Sequence, residues 1–552
     1  MTIRVQNLSL IVGERTLLRD STFAMADSRL TVLIGKSGGG KSSFLRVLAG
    51  LEKRHDPHAR IRWTGSIHWE DVGQSRDLWE HHRVGLVFQH PALLDELSAI
   101  ENVQLALDHR DVQRSPSVED HRKDPHDSAR WWLEHLHVPT DVPIGRLSGG
   151  QRQRLSLAQV LASKPSLLIY DEPTTGLDRG TASRVAALIR QIQQEESIPS
   201  IVVTHDYQSF LPHADHWLLL DTDQKQIITT DAERVGEEVS DERPREHRDE
   251  EPIKPGEAKE TSSVRGGSES SSPMAPRLGI ADVLRVIPTS SIRYFERIGG
   301  IVESVAWGLI GGLRPFPTTR WGMRFLRHYA GLVFGPTAIV YLMISGGIIG
   351  FVSTYFTLRY LPYKVYTEPL LMEELLGVIG FALYRILIPI TTSLLVAARC
   401  SAAVAADLGN KRYGGQYESL ELLGASPHRY WLPAVVWNFA FGILFLNACA
   451  YQAASLTSLI VHRMMQPKLG IAYWKHYYHL PIQEHDTWLF VGWHWLGLKL
   501  LLSGIGTALV TYRIAVQPKN MASDVSYAIT RTILWSTLWV LFVHMMMAFV
   551  EF

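Results

Sequence analysis

The chain has 552 residues, enough for two or more domains, and its 55 Lys and Arg residues balance 55 Asp and Glu residues. A formal net charge of zero provides no global field to attract nucleic acid, so no nucleic-acid partner is expected. The only cysteines, Cys400 and Cys449, exclude a disulfide framework and fit a reducing compartment.

Residues 1–235 have the composition of a soluble α/β domain, and MTIRVQNLSL begins as an alternating strand rather than a signal peptide. We therefore expect this domain to stay on the side of the membrane where it is made. An apolar strand at 30–34 precedes GKSGGGKSS and a helical pattern, the setting in which a GxxxxGK[ST] loop binds phosphate. Lys41 is expected to reach the β- and γ-phosphates, and Ser42 to bind Mg²⁺. The predicted contact residues are Gly35, Lys36, Ser37, Gly38, Gly39, Gly40, Lys41, Ser42 and Ser43.

Two further patterns extend the predicted nucleotide site. The buried-strand run LLIY at 167–170 ends in Asp171 and Glu172. A carboxylate at that strand end lies beside the phosphate loop, so Asp171 can hold the Mg²⁺ shell and Glu172 can polarise the attacking water. LSGGQ at 147–151 precedes another helical pattern, and its hydroxyl and backbone donors predict a second phosphate-binding nest.

The ordered set of motifs resembles ABC-transporter nucleotide-binding domains over roughly residues 1–235, which implies an α/β P-loop NTPase fold that uses ATP and Mg²⁺. The resemblance makes Gln89, in VFQH, a sensor of Mg²⁺ and of the permease, and places His205, in VVTHD, on the γ-phosphate, so Glu172 and His205 are the predicted catalytic pair. In this family the LSGGQ of one copy closes over the nucleotide of another, which implies a homodimer. The residues expected at that contact are Ser148, Gly149, Gly150, Gln151 and Asp178.

Residues 236–277 mix both charge signs with Pro, Gly and Ser and have too few apolar residues to fold, so they predict a flexible linker. Within the next segment, 278–328, the stretch 291–313 has apolar residues at helical spacing together with charged ones. It predicts an amphipathic helix in the membrane interface.

Residues 329–552 contain five apolar runs long enough to cross a bilayer, at 329–352, 375–398, 432–461, 488–510 and 533–550. The fold class is therefore multidomain, with the α/β domain followed by an all-α polytopic membrane domain of about five transmembrane helices. With the N-terminal domain in the cytoplasm, the inner flanks carry 4, 4 and 3 Lys and Arg residues against 2 and 3 outside. That bias has the sign of the positive-inside rule.

A charged stretch, ADLGNKRYGGQYESLELLGASP, lies in the cytoplasmic loop between the second and third predicted spans. Within it, Tyr417, Leu420 and Leu423 fall on one side of a short helix that Gly424 ends and Pro427 cannot continue. An apolar face of this kind suits docking into a groove near Gln89. The alternative is a solvated loop helix.

Residues 291–552 look like an MlaE-type permease, the membrane subunit of ABC systems that move lipid with MCE (mammalian cell entry) proteins. The resemblance rests on AARCSAAVAADLGNKRYGGQYESLELLGASPHRYWLPAV at 397–435, on Arg385 with Pro389, and on TRT at 530–532. It implies a bacterial inner-membrane location, an external MCE-domain partner and small accessory subunits. It also makes the loop with Gln416 and Glu421 the coupling helix, so the predicted coupling residues are Gln416, Tyr417, Leu420, Glu421 and Leu423.

Charged groups inside spans are costly and mark candidate functional sites. Arg385 is the candidate for the substrate path, with an anionic lipid headgroup or a neighbouring helix carbonyl or carboxylate as its partner. Lys499 is expected to extend to a membrane surface, and His544 to pack against a neighbouring helix instead of binding metal.

The leading hypothesis is an ATP-driven lipid transporter. The alternatives are an ABC-type exporter of drugs or other hydrophobic molecules, and a mechanical ATPase that signals across the membrane. Drug exporters usually place the membrane domain first, whereas the order here is reversed. A mechanical ATPase needs a large external domain, and the external stretches here have 22 and 26 residues.

Overall fold

The computed structural model describes residues 2–26, 29–36, 38–52, 54, 61–71, 74–81, 83–110, 128–176, 178–232, 311–312, 314–360, 364–483, 490–519 and 521–551. Three features predicted from the sequence lie outside these ranges in whole or in large part: Ser37 of the phosphate loop, the linker 236–277 and the amphipathic helix at 291–313.

The described strands of the N-terminal domain form two sheets. In the first, β1 (Thr2–Val12) pairs antiparallel with β2 (Arg15–Ala26) and with β4 (Ile61–Asp71), and β5 (Gln74–Asp77) follows β4 at the edge. The second sheet has the order β10-β9-β3-β8-β7-β6, and β3 is parallel to both of its neighbours, so the ends of its strands meet at one edge. Its strands are β3 (Leu30–Gly35), β6 (Val84–Val87), β7 (Leu167–Asp171), β8 (Ser200–Val203), β9 (His216–Asp221) and β10 (Gln226–Thr230).

Helix α1 (Lys41–Leu48) lies in the core between the two sheets, where Phe44 and Leu48 are fully buried among residues of β1, β3 and β7. The other helices of this domain lie outside that core. They are α2 (Leu78–His81), α3 (Ala99–His109), α4 (Ala129–His135), α5 (Gly149–Ala162), α6 (Arg179–Glu196) and α7 (Tyr207–Phe210).

The C-terminal half is helical, as predicted. Its helices are α8 (Thr319–Phe334), α9 (Pro336–Arg359), α10 (Lys364–Ala382), α11 (Ile388–Leu395), α12 (Ser401–Tyr413), α13 (Gln416–Leu422), α14 (Pro427–Met465), α15 (Ile471–His479), α16 (Trp493–Ala515) and α17 (Ala522–Glu551). Among the described residues, five helical stretches are long and apolar enough to span a membrane, which confirms the expected number. They are Thr319–Arg359, Leu371–Tyr413, Pro427–Met465, Trp493–Ala515 and Ala522–Glu551.

The first span differs from its prediction as a single helix within 329–352. The helix breaks at Gly335, which has an extended backbone, and Pro336 begins α9 at a position where its missing N–H is not needed. The preceding helix, α8, starts at Thr319, inside the segment predicted as an interfacial region at 278–328. Apolar periodicity alone does not reveal this break, because both sides of Gly335 remain hydrophobic.

The second span is longer than predicted. It continues through π-helical turns at Leu383–Leu387 and Val396–Cys400 and ends at Tyr413, so residues 399–413 are helix and not loop. The fourth span, α16, begins at Trp493, whereas the apolar run predicts a start at residue 488. The N- and C-terminal halves form one compact unit, which comprises Met1–Thr229 and Gly308–Phe552.

Candidate functional site

The loop between β3 and α1 folds around the side chain of Lys41. The Lys41 ammonium donates to the carbonyl oxygens of Gly35 (2.6 Å) and Lys36 (3.0 Å). Gly38 and Gly40 have φ values of 72° and 105°, a backbone region that favours glycine. The loop therefore leads into the N-terminus of α1, where the helix dipole favours an anion.

Asp171 lies at the end of β7 beside the start of α1. The Ser42 hydroxyl donates to Asp171 Oδ1 at 3.4 Å. Burial, reinforced by the neighbouring Glu172, raises the pKa of Asp171 from its usual value to about 6, against the opposing effects of Ser42 and Lys41. A hydroxyl and a carboxylate at this distance are oxygen ligands of the kind that Mg²⁺ takes beside nucleotide phosphates, so the side chains present fit a magnesium ion.

Glu172 and His205 are in direct contact. Glu172 is 8% exposed, and its Oε1 lies 3.0 Å from His205 Nε2, which is also 3.3 Å from the Lys41 ammonium. The other carboxylate oxygen accepts hydrogen bonds from the His205 backbone N–H and the Thr175 hydroxyl, each 3.2 Å long. Glu172 has a φ of 50°, which is uncommon for a residue with a side chain and is typical of constrained sites.

The start of helix α5 is exposed. Ser148 caps it by accepting from the Gln151 backbone N–H (3.2 Å), and the Gln151 side chain accepts from the Ser148 N–H (2.8 Å). Asp178 caps α6 by accepting from the Thr181 N–H (3.0 Å), and hydrogen bonds from the side chain and the backbone of Thr181 lower the Asp178 pKa. The exposed residues Ser148, Gly149, Gly150 and Asp178 leave this surface accessible.

A cavity of about 650 Å³ extends from Glu172 to the start of α5 and to the helical domain. Its lining includes Gln89, Gly149 and Glu172 of the N-terminal domain and Gln416 of the helical domain. The Gln416 Oε1 atom is buried and has no hydrogen-bond partner among the described residues. The structure thus brings the predicted coupling residue Gln416 to the same space as Gln89.

Helix α13 is the short helix that the charged stretch predicted, and it sits on the N-terminal domain. Leu422 packs against the buried core of that domain, alongside Phe88. Gly424 ends the helix with a φ of 81°, and the Ala425 N–H donates to the Leu420 carbonyl (2.9 Å), which completes a Schellman turn. The solvated-loop alternative is excluded, because Leu420 and Leu423 are buried and Leu422 contacts the other domain.

The apolar face predicted for this helix needs a correction. Tyr417 packs against Trp431 of the helical domain (6.0 Å between ring centroids) and lies under the Arg412 guanidinium (4.2 Å). Burial raises the pKa of Tyr417 to about 12, with a further contribution from Glu421. A helix of seven residues is too short for side-chain spacing to distinguish its two apolar sides, and the sequence prediction missed Leu422.

Ion pairs join the N-terminal domain to helices α8 and α12. An acidic series in the N-terminal domain, which follows Gln89 in the chain, meets basic residues of α8 and α12. The acidic residues after Gln89 are a signal in the sequence, but their spacing does not identify their partners. The pairs are Glu96–Lys411 (2.8 Å), Glu101–Arg324 (2.8 Å) and Asp108–Arg320 (3.4 Å).

Two hydrogen-bonded contacts extend this interface. The Trp321 indole N–H donates to Asp108 at 3.0 Å. His109 Nε2 lies 2.6 Å from the Tyr430 hydroxyl, and its Nδ1 lies 2.9 Å from the Leu105 carbonyl. Since the carbonyl can only accept, Nδ1 carries the proton and Nε2 accepts from Tyr430.

Two family models match this chain in the order that the fold shows. The ABC transporter model matches residues 18–175, and the model of the permease MlaE matches residues 330–550. A sulfate/thiosulfate import ATP-binding protein of Pectobacterium atrosepticum is 32% identical over 235 residues, which are 42% of this chain and 68% of the relative. The chain belongs to the ABC transporter family. It carries an ABC-type ATPase domain followed by an MlaE permease domain.

Other relatives also match less than half of this chain. The chain is 32% identical to a sulfate/thiosulfate import ATP-binding protein of Cucumis sativus and 33% identical to one of Rhizobium meliloti, over 42% and 40% of its own length. It spans 64% and 57% of those two proteins. A solved nucleotide-free ATP-binding cassette from an ABC transporter is 22% identical over 44% of this chain and 96% of its own, with a TM-score of 0.35.

Within the permease domain, Arg385 lies in the first π-helical turn and is paired with a carboxylate. Its guanidinium contacts Glu551 Oε1 at 2.6 Å and 2.7 Å. Of the partners considered from the sequence, the structure therefore shows the neighbouring carboxylate. Glu551 was missed, although it is an acidic residue after a long apolar run, because 166 positions separate it from Arg385.

The expectation for Lys499 is wrong. Its side chain does not extend to a membrane surface: it is 5% exposed, and its ammonium donates to Glu551 Oε2 (2.9 Å) and to the Arg385 carbonyl (2.6 Å). His544 packs as expected, with Nε2 3.2 Å from the Ser393 hydroxyl. Arg385, Lys499 and Glu551 thus join three helical segments through one buried charge cluster.

Proposed function

We propose that this ABC transporter uses ATP to move lipid, as a homodimer in the bacterial inner membrane. The observation that carries the proposal is the union, in one chain, of an ABC-type ATPase domain and an MlaE permease domain. The contact of α13 with the ATPase core supports it, because a transporter needs a rigid element between its energy source and its membrane helices.

The ATPase residues have distinct roles in this proposal. Lys41 and the loop glycines bind the phosphates, and Ser42 with Asp171 holds Mg²⁺, which neutralises phosphate charge when bound. Glu172 orients and polarises the attacking water, and its carboxylate is held by Thr175 and His205. The contact of His205 with Glu172 supports a role for the imidazole in responding to the terminal phosphate.

A second copy of the chain would complete each nucleotide site. The exposed helix starts at Ser148 and Asp178 are capped by their own side chains, so they present ordered backbone donors at the surface. Closure of two copies buries these donors against nucleotide and excludes water from the reacting phosphate. Gln89 and Gln416, which share one cavity, are positioned to respond to that closure.

The MlaE permease domain is the feature that favours lipid as the substrate. Sulfate and thiosulfate are named for ATP-binding proteins that match 42% and 40% of this chain, and in our proposal the permease domain selects the substrate. An external MCE-domain protein, together with small accessory subunits, would take up or deliver the lipid.

Reconstitution tests this proposal. The purified chain in vesicles with fluorescent phospholipid should move the label in an ATP-dependent manner, and the Glu172→Gln variant should not. Sulfate-loaded vesicles serve as the substrate control. Hydrolysis stimulated by drugs, with no effect of ATP on labelled lipid, would instead support the drug-exporter alternative.

A further inference from the structure

Helix α1 reaches from the phosphate loop to the surface of the permease. It begins at Lys41, whose ammonium lies within the loop, and carries Arg46 in its last turn. Five residues of helix span about 7.5 Å. Arg46 therefore lies one short helix away from the phosphate loop.

At that end of α1, Arg46 meets an acidic residue of the coupling helix. Its Nη2 atom lies 3.5 Å from Glu418 Oε1, while its Nε donates to Glu52 at 2.8 Å. The same Glu418 oxygen lies 3.2 Å from Arg412 of the permease domain. Glu418 thus bridges two arginines, one from each domain.

Glu418 is enclosed at this position. Its side chain is 9% exposed and that of Arg412 is 14% exposed, and Glu418 Oε2 has no hydrogen-bond partner among the described residues. A buried carboxylate of this kind contributes little net stability, because desolvation offsets much of the ion-pair energy. It does fix geometry, because both guanidinium groups must remain near one oxygen.

We propose that Glu418 is a positioning residue that connects the phosphate-loop helix directly to the permease, through the bridge Arg46–Glu418–Arg412. This inference rests on the proposed transport function and specifies how the nucleotide site controls it. A shift of α1 on nucleotide binding changes the position of Arg46, which is 34% exposed, and the bridge through the buried Glu418 transmits the change to α13 and to the end of α12. The route is separate from the cavity that Gln89 and Gln416 share.

The bridge is tested with Glu418→Gln, which keeps the shape of the side chain and removes its charge. ATP binding and hydrolysis should persist, whereas labelled lipid moved per ATP hydrolysed should fall by about tenfold. Arg46→Gln should give a similar loss. The Arg46→Gln/Glu418→Gln double variant should lose no more than either single variant, because each of these variants removes the same link. Arg46→Lys should restore part of the ratio. Arg320→Gln, which removes a solvent-exposed pair across the same interface, is the matched control.

A second readout separates this inference from the transport proposal. A spin label at the exposed residue Tyr360 in each copy reports the ATP-induced change in distance between copies at the external end of α9. Glu418→Gln should reduce that change while ATP binding is unaltered, whether or not lipid moves. If wild-type protein shows the change but moves no lipid, the transport proposal fails and the bridge stands. An unchanged ratio and an unchanged distance response in both Glu418→Gln and Arg46→Gln would overturn the bridge, as would loss of ATP binding in both.

Discussion

Glu96 of the ATPase domain and Lys411 of the permease domain form a buried ion pair, with 2.8 Å between Oε1 and Nζ and with each side chain 6% exposed. Asp407 contacts the same ammonium at 2.8 Å. The ammonium also lies 5.2 Å and 5.4 Å from the ring centroids of Tyr329 and Trp431. Because the surroundings exclude water, Lys411 depends on its two carboxylates for charge compensation.

Replacing Lys411 with Met should therefore destabilise the docked structure by about 3–5 kcal/mol, because Glu96 and Asp407 would remain buried without their cation. Thermal unfolding in detergent, followed by tryptophan fluorescence, measures the loss. Adding Glu96→Gln to the Lys411→Met variant should recover part of it. The exposed pair Asp108–Arg320 provides the control, since Arg320→Gln should cost less than about 1 kcal/mol. Equal losses in both single variants would contradict this account.

Glu172→Gln should lower ATP turnover by a factor of about 10²–10⁴, the range expected for loss of general-base assistance. Nucleotide binding should persist, because the amide keeps the shape of a side chain that contacts Thr175 and His205. Steady-state phosphate release and binding of a fluorescent ATP analogue separate the two effects. Turnover at the wild-type rate would show that another group polarises the water.

Leu422→Asp should uncouple hydrolysis from transport. The substitution places a carboxylate against the apolar core that Leu422 now covers, which weakens docking of α13 without altering the phosphate loop. The measurement is lipid moved per ATP hydrolysed in vesicles. Tyr417→Phe keeps the ring on Trp431 and should retain coupling. Normal coupling in Leu422→Asp would mean that this contact does not carry the motion.

His109 gives the interface a dependence on pH. Burial lowers its pKa, Arg83 adds to that effect, and the Leu105 carbonyl and Asp108 oppose it. The folded state therefore holds His109 neutral at pH values where an unfolded chain, with a pKa near 6.5, begins to bind the proton. Stability from this group is complete above about pH 6.5 and declines as the pH falls toward the lower, folded pKa. Unfolding midpoints between about pH 5 and 8 should fall less steeply in His109→Gln than in wild type; equal slopes would contradict the assignment.

Glu551→Gln should destabilise the permease domain by about 3–5 kcal/mol, because Arg385 and Lys499 would lose their shared carboxylate. Melting temperature in detergent is the measurement. Glu373→Gln removes an exposed acid of α10 and should have little effect. A Glu551→Gln protein as stable as wild type would show that the two cations are compensated in another way.

The nucleotide motifs and the number of spans were predictable because each is encoded locally. A strand, a glycine loop and a helix start lie within a dozen residues, so spacing alone places Lys41 and Ser42. Twenty apolar residues predict a span regardless of its neighbours. The short helix α13 was predictable for the same reason, since Gly424 and Pro427 determine its end.

Contacts between distant parts of the chain were not predictable in this way. The partner of Arg385 is 166 positions away, and the partner of Arg46 lies in the other domain. The side of α13 that faces the ATPase depends on packing, so the sequence does not predict the contact of Leu422 with the ATPase core or the packing of Tyr417 on Trp431. The break at Gly335 follows from one proline in an apolar run, where hydropathy does not change.

That break has a mechanical consequence. Since α8 ends at Gly335 and is bound to the ATPase through Glu101 and Asp108, the membrane domain contacts the ATPase through α8 as well as through α12 and α13. With a single point of contact, the membrane domain could rotate freely relative to the ATPase domain. Contacts at several separate helices transmit rotation as well as translation, so we expect a rotation of the ATPase domain to rotate the first membrane helix.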